Sequence, residues 1–183
     1  MYLIFKIPGR LNGLIRMFRI VTGLSVFIMI STVFQPVIAA GNSPENVPDF
    51  ILMDTNNQPV ALESLRGNVV MINFWATWCR PCVEELPSID ALGKSFADKP
   101  FKILAINMGE DRESILSFLK RVGFELDFPL LIDPGAKTAD LYAVKTLPAT
   151  LLVNQDGTFA FGGVGAREWN SEQTRNEILP LFN

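Results

Sequence analysis

Two cysteines lie three positions apart in residues 75–82, which read WATWCRPC, and they are the only cysteines in the chain. Residues at this spacing on the first turn of a helix share one face, close enough for a disulfide to form. Unpaired N–H groups at a helix start stabilise a thiolate, so the pKa of the first cysteine is lowered. The pattern therefore predicts that Cys79 is the attacking nucleophile and that Cys82, one turn further in, resolves the mixed disulfide.

The composition excludes most other chemistry. The chain contains no histidine, which removes the Ser-His-Asp triad, histidine general bases and histidine metal ligands. Two thiolates alone leave a tetrahedral zinc site incomplete, and haem attachment needs a histidine where Val83 stands. A disulfide that closes so short a loop contributes little stability, which disfavours a purely structural role. We therefore expect a redox dithiol that works without a metal or a cofactor.

The first 40 residues predict a membrane-targeting segment. They hold four of the 16 basic residues and none of the 19 acidic ones, and an uncharged run from 20 to 34 follows Arg19. The small residues that end at Ala40 suit a signal peptidase, while residues 20–40 also match the ~20 residues of a membrane-spanning helix. Both interpretations, a cleaved signal peptide and an uncleaved anchor, place the rest of the chain in the periplasm or on the outer side of the cytoplasmic membrane. That remainder is acidic, which excludes a basic nucleic-acid-binding surface.

Apolar runs and turn signals predict the elements that position the dithiol. Short β-branched runs indicate strands, apolar residues at helical spacing indicate helices, and Asp156-Gly157 is a strong hairpin signal. The predicted strands are 68–75, 101–108 and 128–132, the hairpins 50–62 and 149–161, and the helices 81–98, 111–123, 134–143 and 171–181. This order predicts an α/β domain at 49–183, with a central mixed sheet flanked by helices, after a polar linker at 41–48. The dithiol falls where the first central strand passes into a helix.

Two segments resemble the thioredoxin superfamily, and specifically its exported TlpA/ResA-like thiol-disulfide oxidoreductases. They are residues 73–87, NFWATWCRPCVEELP, and residues 146–150, TLPAT, and the resemblance extends over residues 48–183. It implies a thioredoxin-like fold with an N-terminal β-hairpin extension and a cis-proline, Pro148, that faces the dithiol. A cis X–Pro bond exposes the preceding backbone groups to an extended partner, whereas the alternative is an ordinary trans proline that opens a strand. The residues expected to contact substrate are Trp78, Arg80, Pro81, Thr146 and Leu147.

One position departs from thioredoxin itself. Thioredoxin has a buried aspartate six residues before its first cysteine, thought to handle the proton of the resolving thiol, and this chain has Asn73 there. Asn73 cannot titrate. The nearby carboxyl group is Glu85, which lies three residues after Cys82 and on the same helical face. The resemblance to ResA-like proteins implies a glutamate at this position. We predict that Glu85 accepts the proton of Cys82; the alternative is a solvated glutamate that complements the helix dipole.

The resemblance implies an exported enzyme that reduces protein disulfides, as in the maturation of apocytochrome c. It also implies a membrane dithiol donor that reduces the enzyme again after each cycle. A peroxiredoxin is the enzyme alternative, because that family shares the N-terminal hairpin and the fold. Peroxiredoxins have a Pro-x-x-x-Thr-x-x-Cys pattern. In this chain Thr77 stands two residues before Cys79, and the proline is missing. The non-enzyme alternative is a redox-dependent chaperone or binding module.

Overall fold

A computed structural model of the chain describes residues 45–182. These residues form seven strands and four α-helices. The strands are β1 (Ile51–Asp54), β2 (Pro59–Ala61), β3 (Val69–Trp75), β4 (Phe101–Met108), β5 (Leu130–Asp133), β6 (Ala149–Val153) and β7 (Phe159–Val164). The α-helices are α1 (Arg80–Ser95), α2 (Arg112–Val122), α3 (Lys137–Leu141) and α4 (Glu172–Ile178), and 3-10 turns cover Leu62–Leu65 and Leu179–Phe182.

The strands form one mixed sheet in the order β2-β1-β5-β4-β3-β6-β7. β3, β4 and β5 are parallel, while β1 and β6 pair antiparallel with their neighbours. The predicted thioredoxin-like fold class is confirmed. The N-terminal hairpin extends the sheet because β1 pairs with β5 through Met53 and Asp54.

The centre of the sheet positions the dithiol. All seven residues of β3 are buried, as its nearly continuous apolar run predicts for a strand covered on both faces. Helix α1 buries a stripe of side chains at helical spacing, which includes Cys82, Leu86, Ile89 and Leu92. Because β3 and β4 are parallel, the segments that follow them meet at one edge of the sheet.

Local sequence explains the helix ends. Asp111 caps α2 by accepting a hydrogen bond from Ser114 N at 2.8 Å, and Gly123 ends it with a left-handed φ of 70°. Three predicted helices are too long. α1 ends at Ser95 because Phe96 leaves the helix to pack against Phe101, and α3 starts only at Lys137, where Asp133 receives the first backbone N–H groups. The last helix tightens into a 3-10 turn after Ile178.

The predicted targeting segment, residues 1–40, lies outside the described residues, as does the first half of the predicted linker. Within residues 45–182 no helix is long and apolar enough to cross a membrane. The division into targeting segment, linker and domain stays a prediction.

Candidate active site

The two cysteines form a disulfide at the start of α1. The S–S distance is 2.03 Å and the Cα atoms are 5.3 Å apart. Cys79 is the N-cap of the helix and keeps a 6% exposed surface, whereas Cys82 is fully buried one turn later. Pro81 occupies the first turn, where its missing N–H costs no hydrogen bond. Of the two cysteines only Cys79 keeps any exposed surface, and its role as the attacking nucleophile stays a prediction.

The predicted substrate-contacting residues of the motif lie on the surface around the disulfide. The Trp78 side chain is 68% exposed, which is unusual for so large an apolar group. Arg80 and Pro81 are exposed as well, and Arg80 Nε donates to Glu84 Oε1 at 2.8 Å on the solvent side of α1. An exposed indole beside a reachable sulfur is suited to contact with a protein partner. Substrate contact by these three residues stays a prediction.

The loop before β6 carries the proline expected in the cis conformation. The Leu147–Pro148 peptide bond is cis. Ala149 pairs with Phe74 of β3, so the loop lies at the end of β3 that leads into the dithiol. Leu147 packs against the apolar cluster that contains both cysteines, whereas Thr146 is exposed. The part that Thr146, Leu147 and Pro148 play in substrate binding stays a prediction.

Glu85 is buried, with 3% of its surface exposed, so the alternative of a solvated glutamate is wrong. Its Oε1 accepts a hydrogen bond from Asn73 Nδ2 at 2.8 Å. Its Oε2 accepts from Trp169 Nε1 at 3.0 Å and from the backbone N of Arg167 at 3.3 Å. Burial raises the pKa of Glu85 above its ordinary value, and these three hydrogen bonds only partly oppose that rise. Such a carboxyl group is suited to exchange a proton at milder pH than an ordinary glutamate.

Asn73 and Glu85 therefore belong to one polar site inside the core. Asn73 lies in β3 with none of its surface exposed, and its Nδ2 also donates to Thr150 Oγ1 at 2.9 Å. Among the described residues its Oδ1 has no hydrogen-bond partner. Where thioredoxin has a titrating aspartate, this chain has the neutral amide of Asn73. That amide donates a hydrogen bond to the carboxyl group of Glu85.

A second carboxylate, missed in the sequence analysis, holds the turn before Cys79. Glu110 follows β4, and its Oε2 accepts from the backbone N of Thr77 at 2.7 Å and from Asn107 Nδ2 at 2.9 Å. Its Oε1 accepts from the Thr77 hydroxyl. No local spacing connects Glu110 with Thr77, which are 33 positions apart. The available signal was an acidic residue just after a strand parallel to β3, at the shared edge of the sheet.

The described residues contain no group of three or more Cys, Asp or Glu side chains placed to hold a metal ion. Glu85 and Glu110 each bind protein N–H or O–H groups with both carboxylate oxygens. The expectation of a site that works without metal or cofactor stays a prediction.

A disulfide-forming Cys-x-x-Cys pair at the start of the helix after a central strand, with a cis-proline loop at the same end of the sheet, defines the thioredoxin-fold thiol-disulfide oxidoreductases. The AhpC/TSA family matches residues 44–161 of the chain. The chain therefore belongs to the AhpC/TSA family, among its ResA-like thiol-disulfide oxidoreductases. The predicted family and the predicted enzyme class are both confirmed.

Individual relatives support this assignment. Thiol-disulfide oxidoreductase ResA of Bacillus subtilis (strain 168) is 36% identical over 129 residues, which cover 69% of this chain and 71% of the relative. ResA of Geobacillus kaustophilus (strain HTA426) is 37% identical over 123 residues, 67% of this chain and 68% of the relative. A crystal structure from Chlorobium tepidum, assigned as thiol:disulfide interchange protein DsbE, superposes with a TM-score of 0.70 at 28% identity and covers 76% of this chain and 97% of its own.

Proposed function

We propose that this protein is an exported reductant of protein disulfides and that its substrates are exported proteins such as apocytochrome c. The observation that carries the proposal is the buried carboxylate of Glu85, one helical turn after the buried Cys82. A reductant must deprotonate its resolving thiol inside the protein, and Glu85 is placed to take that proton. Residues 1–40 support export, because a basic start followed by an apolar run directs a chain to the membrane.

The reaction has two steps. The Cys79 thiolate attacks one sulfur of the substrate disulfide, which forms a mixed disulfide and releases the other substrate sulfur as a thiolate. Cys82 then gives its proton to Glu85, and the resulting thiolate attacks the Cys79 sulfur. This second attack closes the Cys79–Cys82 disulfide and releases the reduced substrate. Two electrons pass from the dithiol to the substrate, and the disulfide present in this structure is the oxidised end of the cycle.

The neighbourhood of Glu85 accommodates both of its protonation states. The carboxylate accepts from Asn73 Nδ2, and the unpartnered Asn73 Oδ1 offers an acceptor to the protonated acid once the amide turns over. The Thr150 hydroxyl can pair with the Asn73 side chain in either orientation of the amide, because a hydroxyl both donates and accepts. The site therefore offers Glu85 a hydrogen-bond partner in either protonation state.

A membrane dithiol donor recharges the enzyme in this proposal. The donor attacks the exposed side of the Cys79–Cys82 disulfide, and the same two steps run in reverse. Two observations support a contact surface for donor and substrate formed by Trp78, Thr146 and Leu147. The Trp78 side chain is exposed next to Cys79, and Leu147 packs against the cluster that contains both cysteines.

Trapping tests the order of attack. The Cys82→Ser variant should accumulate a mixed disulfide with a reducible protein on non-reducing gels, because nothing resolves the bond that Cys79 has formed. The Cys79→Ser variant is the matched control and should accumulate none. Equal accumulation in both variants would contradict the assigned roles.

A peptide substrate tests the substrate class. Haem is attached to c-type cytochromes at a Cys-x-x-Cys-His motif, so an oxidised peptide with that motif represents the apocytochrome. The control is a peptide of equal length whose histidine is replaced by alanine and whose flanking residues are shuffled. We expect the reduced enzyme to reduce the cytochrome peptide at least tenfold faster than this control, because a few specific contacts are worth about 1.4 kcal/mol, which is a factor of ten in rate. Equal rates would restrict the proposal to general disulfide reduction.

A further inference from the structure

A short segment after β7, residues 166–169, closes over Glu85, and we call it the strap. Two of the three donors to the Glu85 carboxylate belong to it, the backbone N of Arg167 and the indole Nε1 of Trp169. The strap is also tied to the backbone of α1. Trp169 N donates to Ser88 Oγ at 3.1 Å, and the Ser88 hydroxyl donates to the backbone oxygen of Glu85 at 2.8 Å.

Trp169 is fixed in place by packing. Its side chain is 3% exposed and lies in the apolar cluster that includes Ile89 and Ile178. The guanidinium of Arg167 lies 4.9 Å from the centre of its ring, and this guanidinium binds Glu177 Oε2 at 2.9 Å. An indole held by packing and by a neighbouring cation keeps its N–H aimed at a single acceptor.

The donors to Glu85 are all neutral. Each is an amide or indole N–H, and within residues 45–182 Glu85 takes part in no ion pair. The charge of Arg167 is bound to Glu177 instead. A cation against Glu85 would hold its carboxyl ionised, whereas neutral donors leave it able to take up a proton. The titratable or charged groups around it are Cys82 and Glu84 on α1, Arg167 and Glu168 on the strap and Glu177 on α4, while β3 and β6 contribute the uncharged Asn73 and Thr150.

An open depression of about 240 Å³ lies between part of α1 and the strap. Its lining residues are Glu84, Glu85, Ser88, Ala166, Arg167 and Glu168. The depression is large enough for several water molecules, since one water needs only about 30 Å³ of liquid volume. It gives the otherwise buried Glu85 a route by which a proton reaches solvent.

We propose that Trp169 is a positioning residue, whose indole N–H holds the Glu85 carboxylate on the Cys82 face of α1 and thereby sets the pH range in which the dithiol exchanges. This inference rests on the proposed role of Glu85 as proton acceptor. Removal of the indole donor destabilises the carboxylate relative to the acid. The Trp169→Phe variant should therefore raise the pH at which Glu85 ionises by about one unit, the usual worth of one hydrogen bond to a charged group.

Carbon-13 NMR of the glutamate side-chain carboxyls, between pH 4 and 9 on the oxidised protein, measures this ionisation directly. The Glu85 signal is identified by its loss in Glu85→Gln. We expect its midpoint to move up by about one unit in Trp169→Phe and to stay in place in Ser88→Ala, which removes a hydrogen bond to the Trp169 backbone but keeps the indole. Equal midpoints in wild type and Trp169→Phe would overturn the proposal.

A second measurement needs no substitution at Trp169. In the wild-type protein the indole N–H signal of Trp169 should titrate with the same midpoint as the Glu85 carboxyl, and this titration should vanish in Glu85→Gln. An indole signal that stays constant while Glu85 titrates would overturn the proposal, even if Trp169→Phe does not fold.

Exchange kinetics separate this inference from the proposed function. The acid limb of the rate of mixed-disulfide resolution should move by the same one unit in Trp169→Phe, and the substitution should have no further effect in a Glu85→Gln background. A shifted Glu85 midpoint without a shifted rate profile would overturn the link between Trp169 and exchange. Unchanged resolution in Glu85→Gln itself would instead refute the proposed role of Glu85.

Discussion

Two glutamates lie on either side of the dithiol turn, and their surroundings differ. Glu110 is partly exposed and binds the turn before Cys79 through the N–H and hydroxyl of Thr77. Glu85 lies one turn after Cys82, is 3% exposed, and binds donors from β3 and from the strap. Each carboxylate accepts three hydrogen bonds, so the number of donors does not distinguish them.

Burial and the nature of the partners distinguish them. Glu110 binds the backbone that leads into the nucleophile, so its contribution is to the shape of the turn. Glu85 is desolvated, which raises its pKa, and it contacts an amide that suits both of its protonation states. The comparison separates a carboxylate that holds the backbone turn from a buried one, which we propose exchanges its proton.

The largest effect should come from Glu85→Gln, which keeps the size of the side chain and removes its titration. Because the resolving thiol then loses its proposed acceptor, we expect resolution of the mixed disulfide to slow roughly tenfold to a hundredfold or more, toward the lower end of general acid–base catalysis. Attack by Cys79 should be unaffected. Stopped-flow turnover of a reducible protein across pH 5 to 9 measures this, and overlapping profiles for variant and wild type would remove Glu85 from the reaction.

The second effect concerns stability rather than rate. Glu110→Ala leaves the Thr77 and Asn107 donors without their acceptor, and we expect a loss of about 2 kcal/mol of unfolding free energy. Glu110→Gln is the matched control, because its amide still accepts from the Thr77 N–H and donates to the Thr77 hydroxyl, and it should cost well under half as much. Urea unfolding of the oxidised proteins measures both. A resolution rate that falls as far in Glu110→Gln as in Glu85→Gln would erase the distinction between the two carboxylates.

The third effect is a dependence of stability on pH. The pKa of Glu85 is raised in the folded protein, so its contribution to stability is fully present below the unfolded pKa of about 4.3 and is lost as the pH rises through the folded value. Glu85→Gln has no such loss. Its unfolding free energy relative to wild type should therefore grow between pH 4 and 8, by about 1.4 kcal/mol for each unit of pKa shift. A difference that is constant with pH would show that Glu85 titrates alike in both states.

The smallest effect should come from the neighbouring Glu84, which serves as a control for Glu85. Glu84 is exposed, and its ion pair with Arg80 lies in solvent. Exposed pairs contribute little, so Glu84→Gln should change the melting temperature by less than about 2 °C and leave the resolution rate unchanged. A slowed resolution in this variant would indicate that charge at the start of α1, and not the buried carboxyl, governs the reaction.

The sequence predicted much of the fold because the relevant signals are local. β3 and β4 are predominantly apolar, and α2 carries both its N-cap Asp111 and its C-terminal Gly123. The helix ends were predicted less well. Whether Phe96 stays in α1 or turns away to pack on Phe101 depends on tertiary contact, which no helical period encodes.

The sequence by itself determined the chemistry of the site. The spacing of Cys79 and Cys82, their place between a strand and a helix, and the lack of histidine leave a redox dithiol, because helix geometry places residues three apart on one face. The resemblance carried by residues 73–87 and 146–150 indicated Glu85 and Pro148. These inferences need only neighbours along the chain.

Only the tertiary structure decided the surroundings of the two glutamates near the dithiol. Glu84 and Glu85 are adjacent acidic residues, and the sequence left open whether Glu85 is buried or solvated. The packing of α1 shows that Glu85 lies on the face that enters the core. Its partner Trp169 lies 84 positions away, and Glu110 lies 33 positions from Thr77. A hydrogen bond across such a separation depends on where the sheet and the strap bring backbone segments together. Desolvation, and with it the raised pKa of Glu85, likewise exists only once the core has formed.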